Sequence, residues 1–509
     1  MRVSRRTFVA LAASGATLQA LPPALRASPP SLLLRDVRVA DGTGAPAYAA
    51  DVLVRGDTIE RIGRIPPREA PGARVVEGGG RVLAPGFIDL HAHGDPLENP
   101  FDSHLAMGVT TIVLGQDGGN PGRGSAAAWL AAADRADLGI NVATFSGHGS
   151  LRRLADIGDD VRAPPPAQLA RMAELLEADL RAGAFGMSTG LEYVPGMYAG
   201  PAEISALCRV LARHDGVASS HMRSEDDDRV EASVREHVEA SRPARTHVSH
   251  LKVVHGRGVE RAERLLETLR RYRDGDVPLT ADAYPYEASY TTTGILFPDW
   301  ARPPNDYAQV VAQRRGELRA ALERRMEQRG GPGALLLGDG PYAGRTLAQL
   351  AGERGQAYPD VLVELGPSGG SAAHFVMDPE LQDRLLLDPF VAIASDGSPR
   401  GRHPRGHGTF ARWIAQFAAT GRVPLEEAVR KATGLPASIL RLRDRGTIRA
   451  GAKADLVLFD PAAVRDRATY VDPFALAEGF DLVVLNGQPA WERGGRVARA
   501  GRVLRRQPS

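Results

Sequence analysis

One stretch constrains this chain more than any other: Val82-Leu83-Ala84-Pro85-Gly86-Phe87-Ile88-Asp89-Leu90-His91-Ala92-His93. An apolar run opens it and two histidines one residue apart close it. In a strand, residues i and i+2 face the same side. His91 and His93 would then point together from the end of a buried strand, as half of a metal site. A pair of hydrogen-bonded histidines in a turn is the competing reading. What weighs against it is recurrence. Asn141-Val142-Ala143-Thr144-Phe145-Ser146-Gly147-His148, Gly216-Val217-Ala218-Ser219-Ser220-His221 and Thr246-His247-Val248-Ser249-His250 each end an apolar run in histidine. Phe390-Val391-Ala392-Ile393-Ala394-Ser395-Asp396 ends one in aspartate. Polar residues at the C-terminal ends of successive strands are where a (β/α)8 barrel keeps its chemistry.

Between these runs lie helical patterns such as Pro166-Ala167-Gln168-Leu169-Ala170-Arg171-Met172-Ala173-Glu174-Leu175-Leu176. Strands alternating with helices argue for a parallel α/β sheet, and the barrel is expected over about residues 85–440. The flanks differ. Residues 31–84 and 441–505 carry short strand patterns with Gly-rich turns, such as Asp51-Val52-Leu53-Val54-Arg55-Gly56 and Ala454-Asp455-Leu456-Val457-Leu458-Phe459-Asp460. Residues 288–357 break the barrel rhythm and are read as an insertion over the barrel mouth, able to act as a lid. Its first part, Gly294-Ile295-Leu296-Phe297-Pro298-Asp299-Trp300, is mostly apolar.

The N-terminus is read as a leader. Ser4-Arg5-Arg6-Thr7-Phe8 precedes a mildly apolar stretch, and small residues follow near Ala27. The paired arginines with Phe8 resemble a twin-arginine signal over residues 1–27, which implies a periplasmic or secreted protein exported folded. Those residues hold four Arg and no acid, so a chain of net charge +2 is near neutral without them. Nothing in that balance suggests a nucleic acid or a membrane surface as partner; the expected partner is a small-molecule substrate. Cys208 is the single cysteine, so no intrachain disulfide can form.

Several segments together resemble the N-acyl-D-amino-acid deacylase (D-aminoacylase) family of the amidohydrolase superfamily. They are Pro85-Gly86-Phe87-Ile88-Asp89-Leu90-His91-Ala92-His93, Gly147-His148-Gly149-Ser150-Leu151-Arg152, Gly186-Met187-Ser188-Thr189-Gly190-Leu191-Glu192-Tyr193, His221-Met222-Arg223, Ser249-His250-Leu251-Lys252, Asp282-Ala283-Tyr284-Pro285-Tyr286 and Ser395-Asp396-Gly397. The resemblance implies a metallo-hydrolase barrel beside a small β-sandwich built from both chain ends. It implies a zinc cofactor, one or two ions, with another divalent metal as the alternative. His91 and His93 would hold one position, His221 and His250 the other. Asp396 would be the catalytic acid/base and also touch metal. Lys252, Tyr193, Tyr284 and Arg405 would bind the amino-acid part of the substrate. Arg223 could serve similarly or form an internal salt bridge with Glu225 or Asp226. His148 is a candidate for orienting a ligand.

One position departs from the family. Where members commonly carry a cysteine ligand, this chain has Asp117, after Gly108-Val109-Thr110-Thr111-Ile112-Val113-Leu114-Gly115-Gln116. A carboxylate still ligates zinc but is a harder donor; otherwise Asp117 is a turn residue that binds nothing. The implied reaction is hydrolysis of a linear N-acyl-D-amino acid. The rivals are hydrolysis of cyclic amides, as in hydantoinases and dihydroorotases, or of another exported N-acyl compound or dipeptide, and an inactive binding protein on the same barrel. The apolar lid stretch leads to the expectation that apolar D-side chains are preferred over acidic ones.

Overall fold

The computed structural model describes residues 31–492 and 494–507; the leader expected over residues 1–27 lies outside them. Both chain ends meet in one nine-stranded sheet. Its hinge is Val82–Pro85, which runs parallel to Ser31–Val39 on one side and antiparallel to Leu456–Phe459 on the other. Alternation divides the apolar residues of these strands. Leu32, Leu34, Val52, Val54, Leu456 and Leu458 pack with one another, while Val82, Ala84, Val457 and Val483 face the barrel. The end-to-end sheet is thus the expected platform, sharing a core with the catalytic domain.

The stretch that seemed one strand is two. Val82–Pro85 belongs to the platform and Phe87–Asp89 is the first barrel strand. Gly86 sits at the crossing, where a Cβ would lie 2.2 Å from a Thr110 side-chain carbon. Only glycine lets the chain pass that close.

The barrel continues with Val109–Leu114, then Asn141–Thr144 carried on past Phe145 by Ser146–Gly147. Gly186–Gly190, Val217–His221, Arg245–Val248, Leu279–Ala283 and Val391–Ile393 follow. All neighbouring pairs are parallel. Thr144 and Ser146 face different neighbours across the break at Phe145, so the two short pieces act as one strand of eight. The ring closes between last and first strands. The Asp396 N–H donates to His91 O at 2.8 Å and the His93 N–H to Gly397 O at 2.8 Å. Asp89 ties the same seam, accepting from the Ser395 N–H at 2.9 Å. Outer helices bury one stripe each: in Pro166–Arg181 it is Met172, Leu176 and Leu180, at helical spacing.

The insertion runs further than the expected limit at 357. Its three-stranded antiparallel sheet places Ser371–His374 in the centre, between Ser289–Thr292 and Leu335–Leu337. A central strand cannot be left out of its sheet, so the excursion ends near His374. Helices Tyr307–Gln328, Leu347–Arg354 and Tyr358–Leu365 pack on it around a separate core of Leu318, Leu322, Leu347 and Leu362. Leu296 and Phe297 point into that core. Among the described residues no helix is long and apolar enough to cross a membrane. Cys208 is buried, and burial pushes its thiol up to about 12, which makes it an inert core residue.

Candidate metal centre and substrate pocket

Five strand ends and their loops deliver the site. His91 and His93 follow the first strand, and their Nε2 atoms lie 3.2 Å apart. Asp396 follows the last strand, with Oδ1 3.0 Å from His93 Nε2 and 3.5 Å from His91 Nε2. His221 ends the fifth strand and His250 follows the sixth; His221 Nδ1 and His250 Nε2 are 2.9 Å apart. Asp117 joins the two groups. Its Oδ1 is 3.5 Å from His91 Nε2 and 3.4 Å from His250 Nε2, and its Oδ2 is 3.6 Å from His93 Nε2. The departure from the family pattern therefore stands at the middle of the cluster and is no idle turn residue.

The backbone holds Asp117 there at some cost. Gly115 turns the chain at φ +74°, where a Cβ would strike Phe145 O at 2.1 Å. Asp117, His250 and Asp396 themselves adopt φ of 52°, 36° and 50°. Left-handed backbone at a non-glycine residue costs on the order of 1 kcal/mol and gathers at functional sites. Specific bonds offset it. Gln116 Nε2 donates to Leu90 O at 2.6 Å. The His250 N–H donates to Asp282 Oδ1 at 2.7 Å, and Asp282 Oδ2 pairs with His247 Nε2 at 2.7 Å. His247 thus braces the aspartate that fixes a candidate ligand.

The donor set fits a divalent metal. Two pairs of imidazole nitrogens face one another at about hydrogen-bond distance, and Asp117 Oδ1 is buried with no hydrogen-bond partner. Nitrogen and carboxylate oxygen are what zinc takes. Charge agrees. Burial alone would raise the Asp117 carboxyl, yet His91 and His250 hold it well below the usual carboxylate range. Burial and Lys252 push His250 down, but Glu225, Asp117 and Asp396 lift it to about 10. So many carboxylates around one imidazole make a basin for positive charge. Two groups of candidate ligands share Asp117: His91, His93, Asp117 and Asp396, and Asp117, His221 and His250.

Outside this cluster the structure separates the remaining candidates. Arg405 is buried, with Nη1 2.7 Å from Asp396 Oδ2 and Nη2 donating to Tyr290 O at 3.1 Å. Lys252 Nζ lies 2.7 Å from Glu225 Oε1 and from His250 Nδ1. The Tyr193 hydroxyl is 3.3 Å from His221 Nδ1 and takes a hydrogen bond from Thr291 Oγ1 at 3.1 Å. All three line a cavity of about 390 Å³ between the barrel mouth and the insertion. Tyr284 contributes differently: its hydroxyl turns to Met377 Sδ, while its ring lies 4.9 Å beneath the Arg405 guanidinium.

Two expectations are corrected. Arg223 does not reach the cavity. It grips Glu236 through Nε and Nη2 at 2.8–3.0 Å and caps the carbonyls of Met197 and Ala199. Helix Val230–Ser241 brings Glu236 close, which is why neither Glu225 nor Asp226 is its partner. His148 orients no ligand. It opens helix His148–Leu154 and turns outward to Glu203 Oε1 at 2.8 Å, beside Arg152.

Two carboxylates were missed. Glu192 accepts from His221 Nε2 at 3.1 Å, and Glu225 lies 3.0 Å from His250 Nδ1. Each addresses the ring nitrogen opposite the metal cluster, the position from which an outer carboxylate fixes a ligand's tautomer. Both follow a barrel strand within a few residues, and Glu192 stands inside the Gly186–Tyr193 segment that carries the resemblance, which is the signal that could have found it.

Comparison with known proteins agrees with this geometry. Residues 384–490 match the sequence model of the Amidohydrolase family. An N-acyl-D-glutamate deacylase of Alcaligenes xylosoxydans xylosoxydans is 34% identical over 499 residues, covering 92% of this chain and 96% of that protein. This chain belongs to the N-acyl-D-amino-acid deacylase family. A D-aminoacylase of the same organism is also 34% identical, over 521 residues, covering 94% of this chain and 98% of the relative. Among solved structures, the N-acyl-D-glutamate deacylase of Bordetella bronchiseptica, complexed with zinc and a phosphonate mimic of the tetrahedral intermediate, superposes with a TM-score of 0.80. It is 32% identical, covering 94% of this chain and all of that one. Identity alone does not separate relatives named for glutamate from one named for no side chain.

Proposed function

We infer that this chain hydrolyses the amide bond of N-acyl-D-amino acids in a metal-dependent reaction, releasing a carboxylate and the free D-amino acid. The observation that carries the reading is the meeting of Asp396, Asp117 and four histidines at the floor of a cavity whose wall bears Arg405 and Lys252. A divalent ion held by His91, His93, Asp117, His221, His250 and Asp396 would supply Lewis acidity, polarising the acyl carbonyl and making water a better nucleophile at neutral pH.

The chain's own groups do the rest. Burial opposes ionisation of Asp396, but Arg405 and the histidines hold its carboxyl well below the usual range, so it enters the reaction ionised, without the proton it must carry. It takes that proton from the attacking water and returns it to the departing amine. Arg405 and Lys252 offer charged donors to the substrate α-carboxylate, and the planar guanidinium suits a two-point grip. Tyr193 stays a neutral donor, because burial and then Asp117 push its phenol well above its ordinary value. The Tyr284 ring sets the height of the Arg405 guanidinium. The insertion roofs the cavity and keeps bulk water from the reacting carbonyl.

The test is kcat/KM of the zinc-loaded protein on N-acetyl-D-Leu, N-acetyl-D-Glu, N-acetyl-L-Leu and a hydantoin. Best activity on the L isomer or on the cyclic amide would overturn the assignment. We also propose export by the twin-arginine route, which rests on Arg5, Arg6 and Phe8 alone and would place the enzyme in the periplasm or outside the cell.

A further inference from the structure

The apolar stretch over residues 294–300 turns largely away from the cavity. Of it, only Ile295 lines the cavity; Leu296 and Phe297 are consumed by the insertion's own core. This stretch therefore does not make the side-chain pocket apolar. Two arginines in the insertion could have reached back, and neither does. Arg302 donates to the carbonyls of Phe297 and Ile295, and Arg345 pairs with Glu353 at the surface.

A third arginine is inside. Arg329 follows helix Tyr307–Gln328, is only 3% exposed, and lines the cavity. Its Nε is buried without a hydrogen-bond partner. Its nearest carboxylate is Asp226, with Oδ1 3.9 Å from Nη1, and Asp226 already receives Arg325 at 3.0 Å. Glu192 and Glu225 are committed to His221 and Lys252. Burial lowers Arg329 to about 10, so it remains charged at neutral pH. The neighbouring His374 and His255 are held neutral, first by burial and then by Arg329 itself. A buried cation with an unfilled donor is costly unless an anion arrives from outside. The surrounding wall of Thr291, Thr292 and Ser371 is polar and would welcome one.

Resting on the deacylase reading, we propose that Arg329 receives a second carboxylate of the substrate. The enzyme then prefers N-acyl-D-amino acids with an acidic side chain, or, if the carboxylate comes from the other end, an anionic acyl group. Arg405 and Lys252 hold the α-carboxylate from the barrel side and Arg329 holds the second from the insertion.

The experiment compares kcat/KM on N-acetyl-D-Glu, N-succinyl-D-Leu and N-acetyl-D-Leu for the wild-type enzyme and for Arg329→Met and Arg329→Lys. We expect one of the dianionic substrates to exceed N-acetyl-D-Leu by at least ~10²-fold in the wild type, and its identity names the source of the carboxylate. Arg329→Met should erase most of that margin while N-acetyl-D-Leu changes little, and Arg329→Lys should restore part of it. A wild type that prefers N-acetyl-D-Leu overturns the proposal, and needs no variant to do so. Equal loss on all three substrates in Arg329→Met overturns it too, by assigning Arg329 to structure. Calorimetry with D-glutamate, succinate and D-leucine reads the same contrast without turnover. A protein that hydrolyses none of the substrates yet binds a dianion through Arg329 would refute the deacylase reading and leave this one standing.

Discussion

Asp117→Asn isolates the charge that joins the two halves of the metal cluster. The substitution keeps the shape and leaves an amide oxygen able to ligate, but removes one negative charge from among ring nitrogens 3.4–3.6 Å away. A pair of unit charges about 4 Å apart is worth about 4 kcal/mol at an effective dielectric of about 20, and a doubly charged ion doubles that. Two effects return part of it. The amide dipole still attracts the ion, and His250 loses one of the carboxylates that lift it to about 10, so fewer protons compete with metal. A net loss of roughly 3–4 kcal/mol remains, on the order of 10²- to 10³-fold in zinc Kd. The assay is chelator competition on the apoprotein, with metal content measured after dialysis. His221→Ala and His250→Ala should strip the second group, and His93→Ala should weaken the first. Asp117→Asn alone should weaken every bound ion. A variant with wild-type zinc affinity and content would show that Asp117 does not ligate, and the cluster would have to be redrawn without its centre.

Asp396→Asn cannot accept a proton, so kcat should fall by at least ~10²-fold with the fold intact by circular dichroism; near wild-type turnover would remove Asp396 from the mechanism. Arg5→Lys combined with Arg6→Lys should leave the protein in the cytoplasm when cells are fractionated, and unchanged periplasmic activity would refute the twin-arginine reading. His237 tests acid stability. Burial lowers it to about 4 while its Nε2 donates to His247 O at 3.0 Å. The unfolded chain binds this proton below about pH 6.5 and the native chain only near 4, so stability is full above 6.5 and declines as pH falls through that window, by about 3 kcal/mol. Denaturant midpoints between pH 7 and 4 should show a shallower decline in His237→Gln; identical slopes would clear His237 of the effect.

The ligands were legible because barrel physics writes them in order. Each strand must be apolar to be buried on both faces, so a histidine or aspartate at its end stands out, and His91, His93, His221, His250 and Asp396 stood out for that reason. The same rule misleads where the chain leaves the strand. His148 looks like another strand end, but it is the first residue of a helix, and its ring follows the helix outward to Glu203. Arg223 sits two residues from a ligand, yet the loop rotates it to Glu236. Glu192 and Glu225 carry no periodic signal at all, because loop direction is set by tertiary contacts and not by spacing. Gly86 cuts the founding stretch in two for a reason visible only in space, the Thr110 side chain beneath it.

The insertion separates two tasks that a bare barrel would have to combine. Because Leu296, Phe297, Leu318 and Leu322 give it a core of its own, it can change its inner lining without disturbing the strands that hold Asp117 and His250. That independence also explains why an apolar lid sequence was a poor guide to an apolar pocket: those side chains were needed to fold the lid. The group that meets the substrate is instead the residue just past a charge-rich surface helix. Such a helix reads as solvent-facing, and nothing in its pattern marks the buried arginine that caps it just before the turn at Gly330 and Gly331, both at positive φ. Selectivity in this family fold can thus shift with one residue of the insertion while Asp396 and its histidines stay fixed, and Arg329 is where this chain places that choice.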